Sequence, residues 1–312
     1  MMEKNQNFII SDKVEDALLH HKPIVALETT VITHGLPYPH NINLAERIEN
    51  TITAEGVIPA TIGVIDGKVR VGISQHDVQE LATHPHTEKV SLRDFSKLIA
   101  QQGWGGTTVA GTMWVANQVG IPVFATGGIG GVHRSLKQGF SYDISTDLMA
   151  LSDIPVIVVC SGAKSILNLE ATLEVLETYA VPVIGYQTNA FPAFYAKDSG
   201  GLQTSCMAKN ALEVAQIAKT HWDLGFRSGV LVAVPPPDEY ALPFDEVEKY
   251  IQIALSEAEK LNIRGQAVTP FLLEKLNELS HGKSLDANLA LLLNNAKIAA
   301  QIAKSISSIS TY

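Results

Sequence analysis

Short runs that are apolar at nearly every position alternate with helical stretches along this chain. Pro23–Val31 (PIVALETTV), IPVFAT, PVIVVC, VPVIGY and GVLVAV are runs of the first kind. A strand with one wet face alternates polar and apolar residues, whereas a strand covered on both faces in a parallel sheet is apolar throughout. These runs therefore predict buried parallel strands. Leu167–Tyr179, Asn210–Trp222 and Phe244–Leu261 predict helices between or after them. IPATIGVI and KVRVGI flank Asp66-Gly67, the strongest short signal for a hairpin turn. Ser74 with Asp77, and Ser91 with Asp94, have the spacing of an N-cap with an acid three residues on, and each predicts a helix. From about Val268 to Ile309 the pattern is helical and strand-free. The expected class is α/β, a three-layer α/β/α arrangement with a mainly parallel central sheet. No internal repeat, low-complexity segment or linker stands out, so residues 1–312 are read as one domain.

Composition narrows the partners. Of 312 residues 46% are hydrophobic and only 18% charged, against an average near 25% charged. That balance fits a large interior, or an oligomer that hides surface. The net charge is −9 and no basic tract occurs, which argues against nucleic-acid binding by phosphate neutralisation. A small phosphorylated ligand needs only a local cluster. Cys160 and Cys206 read as reduced thiols of a cytoplasmic protein. The N-terminal residues lack the long apolar stretch of a signal peptide. Leu98–Val132 carries no charge, but GWGG, Pro122 and GGIGG break it, so it reads as buried core with loops rather than a membrane span.

In open parallel sheets, ligands bind beyond the carboxyl ends of the strands. Glu28-Thr29-Thr30 follows PIVAL, TGGIGG (Thr126–Gly131) follows VFA, and SGAKS with Lys164 follows VIVVC. Three unusual loops are thus expected on one sheet edge. A lysine that acts as a nucleophile must have its pKa depressed by burial or nearby positive charge. Placement between a strand and the start of the next helix would help, because the helix N-terminus is partially positive. On local sequence alone, a solvated lysine beside a turn is the better-fitting reading. Glu28, ending a buried strand, should have a raised pKa suited to proton transfer, or else pair with a cation. TGGIGG and GGTT (Gly105–Thr108) can present backbone N–H groups to a phosphate, or can simply make tight turns. Asp143 and Asp147 in DISTD offer hard oxygen ligands for Mg²⁺ or Mn²⁺, or an N-capping pair with Ser145. His84 and His86 lie in THPHTEK and read as surface residues of a loop.

Taken in order, ALETTVITHGLPYPHN, KVSLRD, GGTTVAGTM, FATGGIGGVHR, YDISTDL, VVCSGAKSILN, GYQTNAFPAFY and AVTPFLL resemble the strings of pseudouridine-5'-phosphate glycosidases, also called the indigoidine synthase A-like family. The resemblance runs from about Pro23 to Ile306. It implies an α/β/α homotrimer that needs a divalent cation, commonly Mn²⁺. It also implies cleavage of pseudouridine 5'-phosphate to uracil and ribose 5-phosphate through a lysine Schiff base. By matching motifs, Glu28 corresponds to the proton donor, Lys164 to the nucleophile and Asp143 to the metal-associated aspartate. Lys89, Val109, Ser145, Thr146 and Asp147 correspond to substrate-binding positions. The chain departs from the usual strings in reading ALETT for ALEST and CSGAKS for CAGAKS, and in extra residues near Gln138–Tyr142. A Schiff-base aldolase or another sugar-phosphate lyase would use the same lysine. A non-catalytic nucleotide-binding module would explain the glycine loops but not Glu28 and Lys164 on one edge.

Overall fold

The computed structural model describes residues 6–36, 38–134, 143–263 and 268–309; the extra residues near Gln138–Tyr142 lie outside the described residues. The first third of the chain holds β1 (Phe8–Ile10), α1 (Asp12–Leu19), β2 (Ile24–Leu27), a π-helical turn (Val31–Gly35), α2 (His40–Ala54), β3 (Ile58–Ile65), β4 (Lys68–Val71), α3 (Gln75–Thr83), β5 (Thr87–Val90) and α4 (Phe95–Ala100). The middle holds β6 (Trp104–Thr107), α5 (Val109–Val119), β7 (Val123–Ala125), β8 (Val132–His133), α6 (Thr146–Asp153), β9 (Ile157–Cys160), β10 (Leu167–Asn168) and α7 (Leu169–Thr178). The remainder holds β11 (Val183–Tyr186), β12 (Cys206–Ala208), α8 (Ala211–Asp223), β13 (Val230–Ala233), α9 (Phe244–Lys260), α10 (Val268–Leu279) and α11 (Lys283–Ile309).

The main sheet has eleven strands. Its central run, β3-β2-β7-β9-β13-β11-β12, is parallel throughout. The apolar runs predicted it: every residue of β2, β7, β9 and β13 is buried. Strands buried on both faces need helices on both. One layer is formed by α11 with α2 and α8, and α11 lies on β2, β7 and β9. The opposite face of β2 and β7 is covered by α5, with α6 beside it. Within this sheet, among the described residues, antiparallel pairing lies toward one side, where β3 pairs with β4 and β6; β8 and β10 form a separate antiparallel pair. Because β2, β7 and β9 are parallel neighbours, the loops that follow them emerge on the same edge.

Several local predictions hold in detail. Ile65 pairs with Lys68 across Asp66 and Gly67, whose φ values of 49° and 65° are the two left-handed residues of a tight hairpin turn. The Ser74–Asp77 pair makes both arms of a capping box at the start of α3. Ser91 differs. The helix begins at Phe95 with Asp94 at its N-cap, and the Asp94 carboxylate reaches back to accept the Ser91 N–H at 2.9 Å. The pair therefore shapes a turn ahead of the helix instead of capping it. Two strands lie where loops were expected, β5 inside THPHTEK and β6 at GWGG. Apart from Val90 and Trp104 their residues are polar or glycine, and pairing with neighbours rather than hydrophobic pattern holds them. The thiols are free, Cys160 buried and Cys206 exposed. Burial pushes the Cys160 thiol up to about 12, which keeps it protonated and unreactive. Among the described residues no helix is long and apolar enough to cross a membrane.

Candidate active site

β2 stops at Leu27, and Glu28 is the first residue beyond its carboxyl end. The next residue explains the abrupt exit. Thr29 is fully buried; its hydroxyl donates to the Ile62 carbonyl at 2.7 Å and accepts the Thr107 N–H at 3.0 Å. The Thr30 hydroxyl donates to the Gly106 carbonyl at 3.2 Å. The chain after Glu28 is thereby stitched to β3 and β6 and turns into the π-helical segment. Threonine in place of the family's usual serine keeps the hydroxyl that this stitch needs.

Glu28 is partly buried and accepts a hydrogen bond from the Thr126 hydroxyl. Burial raises its carboxyl pKa above the ordinary glutamate value, against the opposing pull of Lys164, the Thr126 hydrogen bond and Lys89, with Asp147 adding to the rise. The carboxyl is thus biased toward the protonated form that a proton donor requires. Lys89 lies on β5, paired in register with Gly106. Burial of its amine lowers its pKa, and the Lys164 ammonium lowers it further, although the residue as a whole is exposed. Glu28, Lys164, Lys89 and Asp147 therefore act on one another electrostatically: the structure brings these four predicted residues into one cluster.

Lys164 is partly buried in the loop after β9. Its N–H donates to the Ile129 carbonyl at 3.1 Å, locking the loop to the glycine-rich segment after β7. One expectation fails here. The next helix, α7, begins only at Leu169, after the short strand β10, so Lys164 is not at a helix N-terminus. The partial positive charge of a helix start is accordingly not placed beside it.

Asp147, in the first turn of α6, is 6% exposed. One carboxylate oxygen accepts the Ala110 N–H at 3.0 Å and the other the Gly130 N–H at 2.8 Å. It joins the start of α5, the glycine loop and α6. Ser145 caps α6 through the Asp147 N–H at 3.2 Å, as predicted. Gly130 is required: a β-carbon there would stand 2.3 Å from the Ser145 hydroxyl oxygen. The loop's N–H groups at Thr126, Ile129 and Gly130 are consumed by protein acceptors, so the loop acts as a structural clip more than as an anion cradle. Val109 opens α5 and is buried beside Ala110; Thr146 opens α6 and is partly exposed. The Thr108 hydroxyl caps α5 through the Gly111 N–H.

Asp143 is exposed and stands four residues before Asp147. Its carboxylate lies 4.0 Å from His133 Nδ1, and its carbonyl accepts the His133 N–H. A carboxylate beside an imidazole is a donor set compatible with Mn²⁺, provided water or substrate completes the shell. The one tight three-residue His/Asp/Glu group among the described residues, His76, Asp77 and Glu80, lies elsewhere, on α3. There Asp77 is already used by the capping box and by Arg70.

Three residues of the site were not singled out in the sequence. His34, in the π-helical turn, accepts or donates at 2.6 Å to the Thr33 hydroxyl. Burial and then Lys89 lower its pKa. Its place six residues after Glu28, within the same quoted string, was the available signal. Thr126 is the hydrogen-bond partner of Glu28. Arg134 donates to the carbonyls of Ser165 at 3.2 Å and Leu167 at 3.0 Å, bracing the segment that follows Lys164.

Known proteins resemble the chain over nearly its whole length. Residues 13–305 match the family described as indigoidine synthase A like protein. A pseudouridine-5'-phosphate glycosidase of Caldanaerobacter subterraneus subsp. tengcongensis is 47% identical, covering 96% of each chain. One of Geobacillus kaustophilus is 48% identical over 97% of this chain and 100% of its own. Among solved structures, a prealnumycin C-glycosynthase in complex with ribulose 5-phosphate superposes with a TM-score of 0.91 at 35% identity, covering 98% of this chain and 99% of that one. An indigoidine synthase A-like protein from Thermotoga maritima superposes with a TM-score of 0.88 at 36% identity over the same shares.

Proposed function

The chain belongs to the indigoidine synthase A-like family, and we propose that it cleaves the carbon–carbon glycosidic bond of pseudouridine 5'-phosphate to uracil and ribose 5-phosphate. The observation that carries this reading is the cluster at one sheet edge: a carboxyl whose pKa is raised by burial, within electrostatic reach of two lysines. Glycosidases that break a carbon–nitrogen or carbon–oxygen bond manage with carboxylates alone. A base attached through carbon is a far poorer leaving group, and a nitrogen lone pair at C1' supplies the missing push.

In the proposed sequence the C1'–O4' bond opens and O4' takes a proton. The neutral amine of Lys164 bonds to C1' and loses a proton. Its lone pair then forms the C=N bond as the C1'–C5 bond breaks, and the electron pair goes to C5 of uracil. C5 takes a proton, for which Glu28 is the donor. Water hydrolyses the imine, releasing ribose 5-phosphate and the free lysine. Lys89 and the residues around Val109 and Ser145–Asp147 hold the phosphorylated sugar. A divalent cation, Mn²⁺ in this reading, would be held by Asp143 and, when bound, supplies positive charge to the anionic substrate.

Uracil release from pseudouridine 5'-phosphate, pseudouridine and uridine 5'-phosphate at equal concentration tests the reading. The first should be cleaved well. Loss of the phosphate removes charge-assisted bonds of about 1.5–3 kcal/mol each, so two such bonds cost pseudouridine roughly 10²–10⁴-fold in kcat/KM. Uridine 5'-phosphate should be inert. Equal rates on pseudouridine and its phosphate would refute phosphate anchoring, and faster cleavage of uridine 5'-phosphate would make the protein an ordinary nucleotide glycosidase. The assembly in this reading is a homotrimer; light scattering that gives the 33.6 kDa monomer contradicts it.

A further inference from the structure

Asn295 lies on α11 and is fully buried, and the other buried residues of this helix from Ala287 to Ile306, among them Leu291, Leu292 and Ala299, are apolar. A buried amide costs free energy unless its hydrogen bonds are made. Those bonds go to the loops of the site. Asn295 Nδ2 donates to the Thr126 carbonyl at 2.9 Å, across 169 residues of chain. The Gly127 carbonyl at 3.4 Å and the Ser161 hydroxyl at 3.2 Å complete its surroundings. Thr126 in turn donates its hydroxyl to Oε1 of Glu28, which leaves Oε2 to carry a transferable proton. Ser161 stands three residues before Lys164, and its N–H donates to the Gly127 carbonyl at 2.8 Å. One side chain therefore ties together the loop that orients the acid and the loop that carries the lysine.

We propose that Asn295 is a positioning residue of this site: it fixes Thr126 so that the threonine hydroxyl holds the Glu28 carboxyl, and it pins the first residue of the Lys164 loop. The inference rests on Glu28 and Lys164 being the acting groups of the proposed reaction. Without Asn295 the Thr126 carbonyl loses its donor, its residue can rotate, and Glu28 loses its fixed orientation. The charged groups that face Glu28, namely Lys164, Lys89 and Asp147, stay in place. Misplacement of a reacting group by about 1 Å costs on the order of 10²-fold in rate.

The test compares wild type with Asn295→Ala, Asn295→Asp, Thr126→Val and the Thr126→Val/Asn295→Ala double variant, each checked for folding by thermal melting. Uracil release should show kcat lower by roughly 10–100-fold with KM changed far less. The alkaline limb of the kcat profile should move to higher pH, because the Thr126 bond favours the ionised carboxyl and its loss raises the Glu28 pKa. The double variant should fall by less than the product of the single effects, as expected for two residues acting through one link. Glu28 titration followed by carbon-13 NMR in the substrate-free protein reads the same shift without any turnover. If wild type releases no uracil, the proposed reaction fails, while the NMR titration still tests Asn295. Folded variants with wild-type kinetics and an unmoved Glu28 midpoint overturn the inference. So does failure of both Asn295 variants to fold, since the residue would then serve stability alone.

Discussion

Arg134 and Glu248, 114 residues apart in the chain, form a two-pronged ion pair, and the same guanidinium holds the backbone just past Lys164. Glu248 lies on α9, so this helix braces the lysine loop through Arg134. The Arg134 hydrogen bond holds the Glu248 carboxyl below its ordinary pKa, outweighing burial. A lowered carboxyl pKa contributes stability above the unfolded value and loses it as pH falls through the folded one. Glu248→Gln should therefore cost about 1–3 kcal/mol in urea unfolding at neutral pH. Variant and parent should converge at strongly acid pH.

Glu28→Gln should lower kcat by roughly 10²–10⁴-fold, since glutamine keeps the shape but has no proton to give. Stability should move the other way. The Glu28 pKa is raised, so its favourable contribution exists below the unfolded value near 4.3 and is lost as pH rises through the folded value. Glutamine mimics the neutral acid at every pH. The variant should therefore melt higher than wild type at pH 8 and show little gain at pH 4, which calorimetry at the two pH values would reveal.

Borohydride added with ribose 5-phosphate should fix the sugar on Lys164 as a secondary amine, read by peptide mass spectrometry. A label on Lys89 instead would exchange the roles of the two lysines. Lys164→Ala should fold normally and release no measurable uracil.

Chelation followed by dialysis should abolish turnover, and Mn²⁺ or a similar hard cation should restore it. Asp143→Ala should raise the Mn²⁺ concentration needed for half-activation, with its melting temperature unchanged in metal-free buffer because the residue is exposed. Full activity of the stripped enzyme would remove the metal from the reaction.

Much of the sheet was legible because burial on both faces demands an unbroken apolar run, and β2, β7, β9, β11 and β13 each have one. The candidate residues were legible for the same reason. A charged residue at the end of such a run, like Glu28, or soon after it, like Lys164, stands out against its surroundings. β5 and β6 were hidden because glycine and polar residues carry no periodic signal, and only their pairing with each other and with β3 makes them strands. The supports of the site were hidden too. Thr126, Arg134 and Asn295 are ordinary polar residues whose partners lie 98, 114 and 169 residues away, and no local pattern marks such links.

The clasp at Asn295 also sets a clock on biosynthesis. Thr126 and Lys164 leave the ribosome long before α11 does. At roughly 5–20 residues per second, the 169 residues between Thr126 and Asn295 take about 8–34 s to make. Through that interval the nascent chain carries its amine and its acid without the amide that aligns them. A chain halted before α11 should lack both the amide and the helix that covers β2, β7 and β9, so in the proposed reaction competence waits on synthesis through α11.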